Sequence, residues 1–448
     1  MQIKWITGST NQVHLSIKSA DEYGITPDLM TFQFGSWEQL VQVHISTDIP
    51  EDMIGLPEQW KNIFTIPETL PYELNRTDTT LRLGPVIALI VFSHLNDMTL
   101  SKLDHYRDYF SDFENIQGLI YICAWSTIDI EKKQIQGYYF DPNASNTSNR
   151  WKLGTFPFPG SAYNRTAMPE TVFNSLLTVM GDRVFNSFSN GSFNKWELWK
   201  RLSPDFKLRS HLPATEPLTD VTVLNNMLGR FGSIYLKPAG GTLSKGITKV
   251  EKRKNGYLVT YPQQRIGEEN FQRFIENSKS IEQWLFKLKN KEYLVQQAIT
   301  MKRHENRPID FRVIMQKDGK NQWDCTGIFG KFGRNGNIIT NFTQNGFIRS
   351  GMDTFRSAFR MNDKKAQKKI KELKKISFKI CRAFDQYGNY GDLGIDLMVD
   401  HKGKVWILEA NTLDTYHRFP LLIDDRALYE KVVTSPFRYA KYLAGFEQ

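Results

Sequence analysis

Cysteine is scarce in this sequence: Cys123, Cys325 and Cys381 are the only ones among 448 residues. Three cysteines at such wide spacing argue against a disulfide framework and against a cysteine-based metal knuckle. No apolar run approaches the ~20 residues that span a bilayer, and the N-terminus lacks the basic, apolar and small-residue progression of a signal peptide. We therefore expect a cytoplasmic protein without a membrane span.

A pattern of alternating aromatic and basic residues, which would indicate nucleic-acid binding, is also missing. The formal net charge is +10, and much of the excess lies in residues 364–379, where Ile370, Leu373 and Ile376 recur at helical spacing between lysines. This pattern predicts an amphipathic helix with a solvated basic face and no base-stacking platform. The charge favours an acidic partner, and we expect phosphates or carboxylates rather than nucleic acid.

The chain is too long for one compact core, so two or three domains are expected. Residues 1–80 contain short alternating stretches between polar and Gly/Pro turns, which predict a small β-rich N-terminal module. Residues 81–190 alternate apolar strands with helical patterns, as in an α/β domain. Strands, Gly-rich turns and helices continue through residues 191–448, so the prediction for the whole chain is an α/β (α+β) protein.

A glycine-rich loop follows a short apolar strand in the middle of the chain. The strand ends in Lys237, and the loop contains Gly240, Gly241, Ser244 and Gly246. Glycines let backbone N–H groups approach phosphate oxygens without a Cβ in the way, and the lysine adds a positive charge. The loop is neither a Walker A motif nor a Rossmann fingerprint, because the GK[ST] ending and the GxGxxG spacing are absent. The segment predicts either a polyphosphate site or a hairpin turn with a surface lysine.

Two predicted strands near the C-terminus carry acidic residues, Asp396 in the first and Glu409 in the second. A two-residue turn at Lys402-Gly403 would pair Asp396 directly with Glu409, and Asn411 would project from the same face. Opposed side chains have Cβ atoms only about 4.5–5.5 Å apart, so two carboxylates would repel unless a cation lay between them. Oxygen ligands without cysteine or histidine suit Mg²⁺. The alternative is a pair of surface acids on a hairpin, which the surrounding apolar residues disfavour.

Short motifs occur in a fixed order through most of the chain. They are Leu81-Arg82-Leu83-Gly84-Pro85-Val86, Tyr163-Asn164-Arg165, Phe193-Asn194-Lys195-Trp196-Glu197, Leu212-Pro213-Ala214-Thr215, Leu236-Lys237-Pro238, Tyr293-Leu294-Val295-Gln296-Gln297, Asp310-Phe311-Arg312-Val313, Thr340-Asn341 and the set Asp396, Glu409 and Asn411. This ordered series resembles the YheC/YheD family, which is associated with endospore coats, within the ATP-grasp superfamily. The resemblance implies an ATP-grasp fold of two α/β lobes in residues 191–448, preceded by a pre-ATP-grasp domain in residues 81–190.

The resemblance also implies roles for single residues in binding Mg-ATP between the two lobes. Two lysines would bind the phosphates, the glycine-rich loop would cover them, and a strand between the lobes would meet adenine. The implied nucleotide-binding residues are Lys195, Lys237, Gly240, Gly241, Ser244, Gly246, Gln296, Gln297, Ala298, Ile299 and Asn341. Arg312 would be the catalytic cation at the γ-phosphate and the acyl phosphate. The implied Mg²⁺ ligands are Asp396, Glu409 and Asn411.

The expected function is ATP-dependent ligation of a carboxylate to an amine, with release of ADP and phosphate and without a covalent enzyme intermediate. The partners would be ATP, an acidic small-molecule or peptide substrate, and other proteins of the spore coat. Two alternatives stay open, because a fold does not fix a function. The first is a structural coat protein that keeps the fold without turnover, and the second is a small-molecule kinase.

Overall fold

The computed structural model describes residues 1–8, 10–144, 150–186, 194–240, 245–263, 269–288, 292–340 and 345–446. Within these ranges the strands form four sheets, which follow one another along the chain. The boundary expected between residues 190 and 191 falls in a segment outside the described ranges.

The first sheet is mixed and has seven strands. They are β1 (Gln2–Ile6), β2 (Gln12–Leu15), β3 (Leu29–Phe34), β4 (Trp37–Ile45), β5 (Met53–Pro57), β6 (Glu73–Thr77) and β7 (Thr80–Gly84). Their order is β1-β5-β2-β4-β3-β7-β6. Phe32 and Trp60 pack in its core with ring centroids 5.0 Å apart, because alternate residues of β3 point to one face of the sheet.

The second sheet has six strands. They are β8 (Val86–Phe92), β9 (Leu119–Asp129), β10 (Gln134–Phe140), β11 (Trp151–Pro157), β12 (Ser161–Asn164) and β13 (Val184–Phe185). The order is β11-β10-β9-β8-β12-β13, and β8 pairs in parallel with β9 and β12. Val86 to Ile90 are all buried, since a central parallel strand is covered on both faces.

The third and fourth sheets are antiparallel and face the cavity described below. The third contains β14 (Thr215–Pro217), β15 (Ser233–Pro238), β16 (Thr248–Arg253), β17 (Gly256–Tyr261), β18 (Phe271–Ile275) and β19 (Tyr293–Gln297), in the order β14-β19-β15-β16-β17-β18. The fourth contains β20 (Arg303–His304), β21 (Arg307–Lys317), β22 (Trp323–Phe332), β23 (Phe347–Ser350), β24 (Asp392–Val399) and β25 (Val405–Asn411), in the order β23-β22-β21-β24-β25 with β20 paired to β21. Each sheet has its own apolar core.

Helices cover the sheets. They are α1 (Ile17–Glu22), α2 (Leu100–Asp104), α3 (Phe113–Ile116), α4 (Glu170–Met180), α5 (Lys195–Leu202), α6 (Phe206–Arg209), α7 (Val221–Phe231), α8 (Ser278–Phe286), α9 (Gly351–Ser357), α10 (Asp363–Phe384) and α11 (Arg426–Leu443). The predicted amphipathic helix is confirmed as α10, whose Leu373, Ile376 and Ile380 are buried in the core of the fourth sheet. None of the helices within the described ranges is long and apolar enough to cross a membrane.

Helix α11 returns from the fourth sheet to the beginning of the chain. Its Val433, Phe437 and Ala440 belong to the same apolar core as the first and second sheets. Ser161 Oγ of β12 donates a hydrogen bond of 2.7 Å to the carbonyl of Ala440. The C-terminal helix therefore fixes the second sheet beside the two sheets that form the cavity.

Candidate functional site

A cavity of about 540 Å³ lies between the third and fourth sheets, and its wall includes residues next to the second sheet. Ten of the predicted site residues line it. They are Lys195, Lys237, Gly240, Gln296, Gln297, Ile299, Arg312, Asp396, Glu409 and Asn411. The structure thus brings together residues that are up to 216 positions apart in the chain. Gly246 and Ala298 are not among its lining residues, and Gly241, Ser244 and Asn341 lie outside the described ranges.

Lys237 is the penultimate residue of β15, and its side chain is buried in the cavity wall. Its Nζ donates a hydrogen bond of 2.6 Å to Gln296 Oε1, and Gln296 Nε2 donates one of 3.0 Å to Thr215 Oγ1. Burial is the main cause that lowers the pKa of Lys237 to about 8, and nearby Glu409 acts in the opposite direction. Because its hydrogen-bond partner is a neutral amide, the charge of Lys237 can serve an anion in the cavity.

Lys195 is the first residue of α5, and its Nζ lies 3.4 Å from Glu409 Oε1. Asn194 caps the helix, since its side chain accepts two backbone hydrogen bonds from the first turn. The backbone N–H of Lys195 donates to the carbonyl of Ala239 at 3.0 Å. This bond holds the start of the helix next to the segment that follows Lys237, so both predicted phosphate-binding lysines face one cavity.

Two backbone N–H groups in the segment predicted to contact adenine already donate hydrogen bonds within the protein. The N–H of Gln297 donates to the carbonyl of Ala214 at 2.8 Å, and the N–H of Ala298 donates to the carbonyl of Ser233 at 3.1 Å. Those two amides are therefore already used and would not be donors to a purine edge. Apolar side chains suited to a base also line the cavity: Ile299, Ile338, Ile339, Met398 and Leu408.

The two described glycines of the predicted lid differ in their surroundings. Gly246 has a φ of +78°, and a Cβ there would lie 2.9 Å from Cγ of Pro238, so the turn itself requires glycine. Gly240 lines the cavity, and a Cβ there would meet no atom within 4 Å. Because residue 240 has no Cβ, open space remains at this point of the cavity wall, where a phosphate could approach the backbone.

The predicted pairing of Asp396 with Glu409 is present in the hairpin of β24 and β25. The register of the hairpin near its turn, however, differs from the expected register. Val399 pairs with Val405, which is one position out of the register that a two-residue turn would give. Leu408 forms a β-bulge opposite β24, and this extra residue restores the pairing of Asp396 with Glu409.

The predicted two-residue turn at Lys402-Gly403 is wrong because the side chain of Asp400 builds a longer loop. Asp400 Oδ1 accepts hydrogen bonds of 2.9 Å from the backbone N–H groups of Lys402 and Lys404. Its Oδ2 accepts a third, also of 2.9 Å, from Nε1 of Trp406. Gly403 has a φ of +82°, which such a loop requires.

Asp396 is the centre of a buried group of alternating charges. Arg312 binds it with both sides of the guanidinium, Nε to Oδ1 at 2.7 Å and Nη2 to Oδ2 at 3.1 Å. Lys331 Nζ lies 3.0 Å from Asp396 Oδ1 and 3.1 Å from Asp310 Oδ1. Thr340 Oγ1 donates a hydrogen bond to the other oxygen of Asp310. One lysine therefore bridges two carboxylates at the wall of the cavity.

The two carboxylates differ in pKa because they have different numbers of cationic partners. Burial raises the pKa of Asp310 to about 6, although Lys331 lowers it. Burial acts in the same direction on Asp396, but Arg312 and Lys331 together outweigh it and lower the pKa of Asp396 to about 2. Asp396 is therefore a carboxylate at neutral pH.

Asp396, Glu409 and Asn411 could hold Mg²⁺ as part of an oxygen shell. Asp396 and Glu409 oppose each other across the hairpin, and Glu409 is half-buried and faces the cavity. Asn411 donates through Nδ2 to the carbonyl of Gly394 at 3.1 Å, which leaves its side-chain oxygen as the ligand atom. In the described part of the chain no three His, Cys, Asp or Glu side chains are grouped as a complete metal site. This donor set fits Mg²⁺ bound through one or two carboxylates, with phosphates as the other ligands.

Sequence reasoning missed Lys331, which bridges the two acids. It lies in a buried stretch of β22 and pairs with Asp310 of β21. A lysine between apolar neighbours was a signal for it, because a buried lysine requires an anionic partner.

Sequence reasoning also assigned no role to the wall on the side of the second sheet. Asn164, Met168 and Phe173 line the cavity there, together with Leu413 and Tyr416 from the segment after β25. These residues come from distant parts of the chain, so no local pattern could place them together.

Comparison with protein families finds one matching model, described as YheC/D like ATP-grasp, over residues 183–443, which is more than half of the chain. The endospore coat-associated protein YheD of Bacillus subtilis (strain 168) is 22% identical over 417 residues, which cover 86% of this chain and 88% of YheD. The endospore coat-associated protein YheC of the same organism is 24% identical over 254 residues, which cover 56% of this chain and 67% of YheC.

Similar solved structures include two ligases. One is the ATP-grasp ligase PsnB with a variant of its minimal precursor, Mg and ADP, at 13% identity and a TM-score of 0.43, covering 80% of this chain and 98% of PsnB. The other is D-alanyl-alanine synthetase A from Vibrio cholerae, at 14% identity and a TM-score of 0.41, covering 79% of this chain and 99% of the synthetase.

Proposed function

The chain belongs to the YheC/D-like ATP-grasp family, and on this premise we propose that it binds Mg-ATP in the cavity and ligates a carboxylate to an amine. The observation that carries the proposal is the meeting of two lysines with a cross-strand pair of acids in one cavity. Lys237 comes from the third sheet, Lys195 from the start of α5, and Asp396 and Glu409 from the fourth sheet. Cations that face opposed carboxylates suit a triphosphate with its metal ion.

The proposed reaction has two steps. An oxygen of the substrate carboxylate attacks the γ-phosphorus, the bond to the β,γ-bridging oxygen breaks, and ADP leaves. The amine nitrogen then attacks the acyl carbon, the bond to the phosphate oxygen breaks, and the amine loses a proton. The protein supplies position and charge rather than a nucleophile.

The residues of the cavity have separate roles in this proposal. Lys195 and Lys237 bind phosphate oxygens, and Arg312 binds the transferring γ-phosphoryl group through N–H groups that Asp396 does not use. Mg²⁺, when bound, would offset charge that develops on the phosphoryl group, and Asp396, Glu409 and Asn411 would hold it. The loop from Gly240 to Gly246 would cover the phosphates, with Gly241 and Ser244 in it, and Asn341 would join the nucleotide site.

The proposal extends to the rest of the chain. Residues 81–190 would act as the pre-ATP-grasp domain, because Asn164 and residues 166–168 of this region line the cavity beside the proposed ATP site. Because this chain is similar to YheD, whose name records an association with the endospore coat, we propose that it is coat-associated as well. Its acidic substrate would then be a small molecule or peptide, with coat proteins as further partners.

The test is incubation of the purified protein with Mg-ATP and an extract of peptides and amino acids, followed by measurement of ADP and new masses. A ligase gives a product with the mass of both substrates less one water, whereas a kinase gives a substrate that has gained the mass of one phosphoryl group, HPO3. Glu409→Gln should lower turnover far more than nucleotide affinity, because the metal matters most as charge develops.

The matched control is Glu430→Gln, on the exposed face of α11, which should behave as wild type. Equal ADP release by Glu409→Gln and wild type would contradict the metal assignment. If the protein binds ATP but forms no ADP in the presence of any pool of carboxylates and amines, the ligase proposal is contradicted and the structural coat protein is favoured.

A further inference from the structure

One face of strand β24 carries Asp392, Gly394 and Asp396, because alternate residues of a strand point to the same side. Arg312 lies across this face. Its Nε and Nη2 bind Asp396, and its Nη1 donates to the carbonyl of Thr415 at 2.8 Å. A guanidinium has five N–H donors, so these three bonds leave two of them for another ligand.

Gly394 provides the space that this placement of Arg312 needs. A Cβ at residue 394 would lie 3.0 Å from Nη1 of Arg312 and 3.3 Å from Cα of Thr415. Both distances are shorter than ordinary van der Waals contact, so the guanidinium or the Thr415 backbone would have to move. The glycine is needed here for close approach rather than for an unusual φ.

Asp392 holds Thr415, the residue whose carbonyl accepts the hydrogen bond from Arg312. Its carboxylate is fully buried, and Oδ2 accepts hydrogen bonds from Thr415 Oγ1 at 2.8 Å and Tyr163 Oη at 2.5 Å. His417 Nε2 lies 2.9 Å from the same oxygen, and Gln316 Nε2 donates to Oδ1 at 3.1 Å. A carboxylate with four partners on three segments of the chain is rigidly held, so Thr415, which is also fully buried, cannot turn its carbonyl away from Arg312.

We propose that Gly394 and Thr415, the latter held by Asp392, are positioning residues that direct the two remaining N–H groups of Arg312 at the γ-phosphoryl group. The inference rests on the function proposed for Arg312. A guanidinium whose direction is fixed before the nucleotide binds loses less entropy on binding, and a small displacement removes a charge-assisted hydrogen bond.

The test compares the affinities for Mg-ATP and Mg-ADP by calorimetry, because only ATP carries the γ-phosphate. In wild type, ATP should bind more tightly than ADP, and Arg312→Gln should abolish that preference. Gly394→Ala and Thr415→Val should each lower the preference about tenfold, which corresponds to one charge-assisted hydrogen bond. Their affinity for ADP should change less than about twofold, since ADP keeps its contacts with the lysines.

Two matched substitutions serve as controls. Gly229→Ala adds a Cβ on α7 where no atom lies within 4 Å, and Thr434→Val removes a hydroxyl that donates within α11 to the carbonyl of Glu430. Neither should change the ratio of the two affinities. If Gly394→Ala does not fold, Thr415→Val alone decides.

The possible outcomes distinguish the proposed role of Arg312 from its proposed positioning by Gly394 and Thr415. If Arg312→Gln keeps the wild-type preference for ATP over ADP, Arg312 does not bind the γ-phosphoryl group. Both the proposed role of Arg312 and the positioning by Gly394 and Thr415 are then overturned. A lost preference in Arg312→Gln, with wild-type preference in Gly394→Ala and Thr415→Val, overturns the positioning alone. A lower melting temperature in these two variants with an unchanged preference would also overturn it, because the residues would then be merely structural.

Discussion

Helix α10 and the cavity both concentrate positive charge, but the cations are in opposite surroundings. On α10, Lys364, Lys368 and Lys371 are exposed, and the helix is held in place by its apolar face. In the cavity, Lys331 and Arg312 are buried, and each is bound to a carboxylate. Closely spaced lysines in the sequence therefore indicate a solvent-exposed face of a helix. A buried cation with a neutral partner, as Lys237 has in Gln296, indicates where charge can act on a ligand.

The strongest test of this comparison is the removal of one cation from each region. Lys331→Met leaves Asp310 and Asp396 buried with one bridging charge fewer, and we expect the free energy of unfolding to fall by about 3–5 kcal/mol. Lys368→Met on α10 should change it by less than about 0.5 kcal/mol. Urea unfolding of both variants beside wild type measures the difference. A loss below about 1 kcal/mol for Lys331→Met would show that the acids are hydrated.

The pKa of Lys237 gives a second, smaller contrast, because a solvated lysine titrates far above neutral pH. Burial lowers the pKa of Lys237 to about 8, and a bound polyphosphate should raise it again. Binding should therefore take up protons above about pH 8, up to about one per nucleotide, and affinity should weaken as pH rises through this range.

Calorimetry of Mg-ATP binding in two buffers of different ionisation enthalpy at pH 8.5 measures this uptake. Lys237→Met should reduce it, whereas Lys375→Met on α10 should not. The same uptake in Lys237→Met as in wild type would assign the titration to another group.

The smallest expected effect has the opposite sign. Like charges three or four residues apart on a helix repel, so Lys368→Gln, between Lys364 and Lys371, should stabilise the protein by about 0.2–0.5 kcal/mol. The gain should shrink in high salt, because salt screens exposed charges. Thermal unfolding at low and high ionic strength provides the measurement. A destabilised Lys368→Gln would indicate that this lysine has a partner.

Local patterns predicted much of the fold and part of the site. The repeat of apolar residues gave α10, and the alternation around Asp396 and Glu409 gave their strands and their pairing. The turn between the strands was mispredicted because the backbones of Asp400 and Lys404 close a three-residue loop, in which Gly403 takes a positive φ and the side chain of Asp400 accepts further bonds from the backbone. The bulge at Leu408 then cancels the shift in register, so the pairing was right although the turn was wrong.

Contacts between distant segments lay beyond those patterns. The hydrogen bond from Tyr163 to Asp392 joins the second sheet to the fourth across 229 positions, and it depends on how whole sheets pack. Gly394 looks in the sequence like any glycine in an apolar strand, and its importance appears only when Arg312 is placed against it. The resemblance to a family supplied Lys195 and Arg312 as candidates, because their own neighbourhoods in the sequence do not distinguish them from surface residues.

Titration of Mg-ATP into wild type, Lys237→Met and Lys368→Met at neutral pH tests the central claim most directly. That claim is that the buried cations of the cavity, and not the exposed ones of α10, bind a nucleotide. The account predicts saturable binding by wild type, the same affinity for Lys368→Met, and binding at least about tenfold weaker for Lys237→Met. At a hundredfold excess over the dissociation constant, the nucleotide should also stabilise wild type by roughly 2.7 kcal/mol. No heat and no thermal shift with wild type at millimolar Mg-ATP, or an equal loss of affinity in both variants, would contradict it.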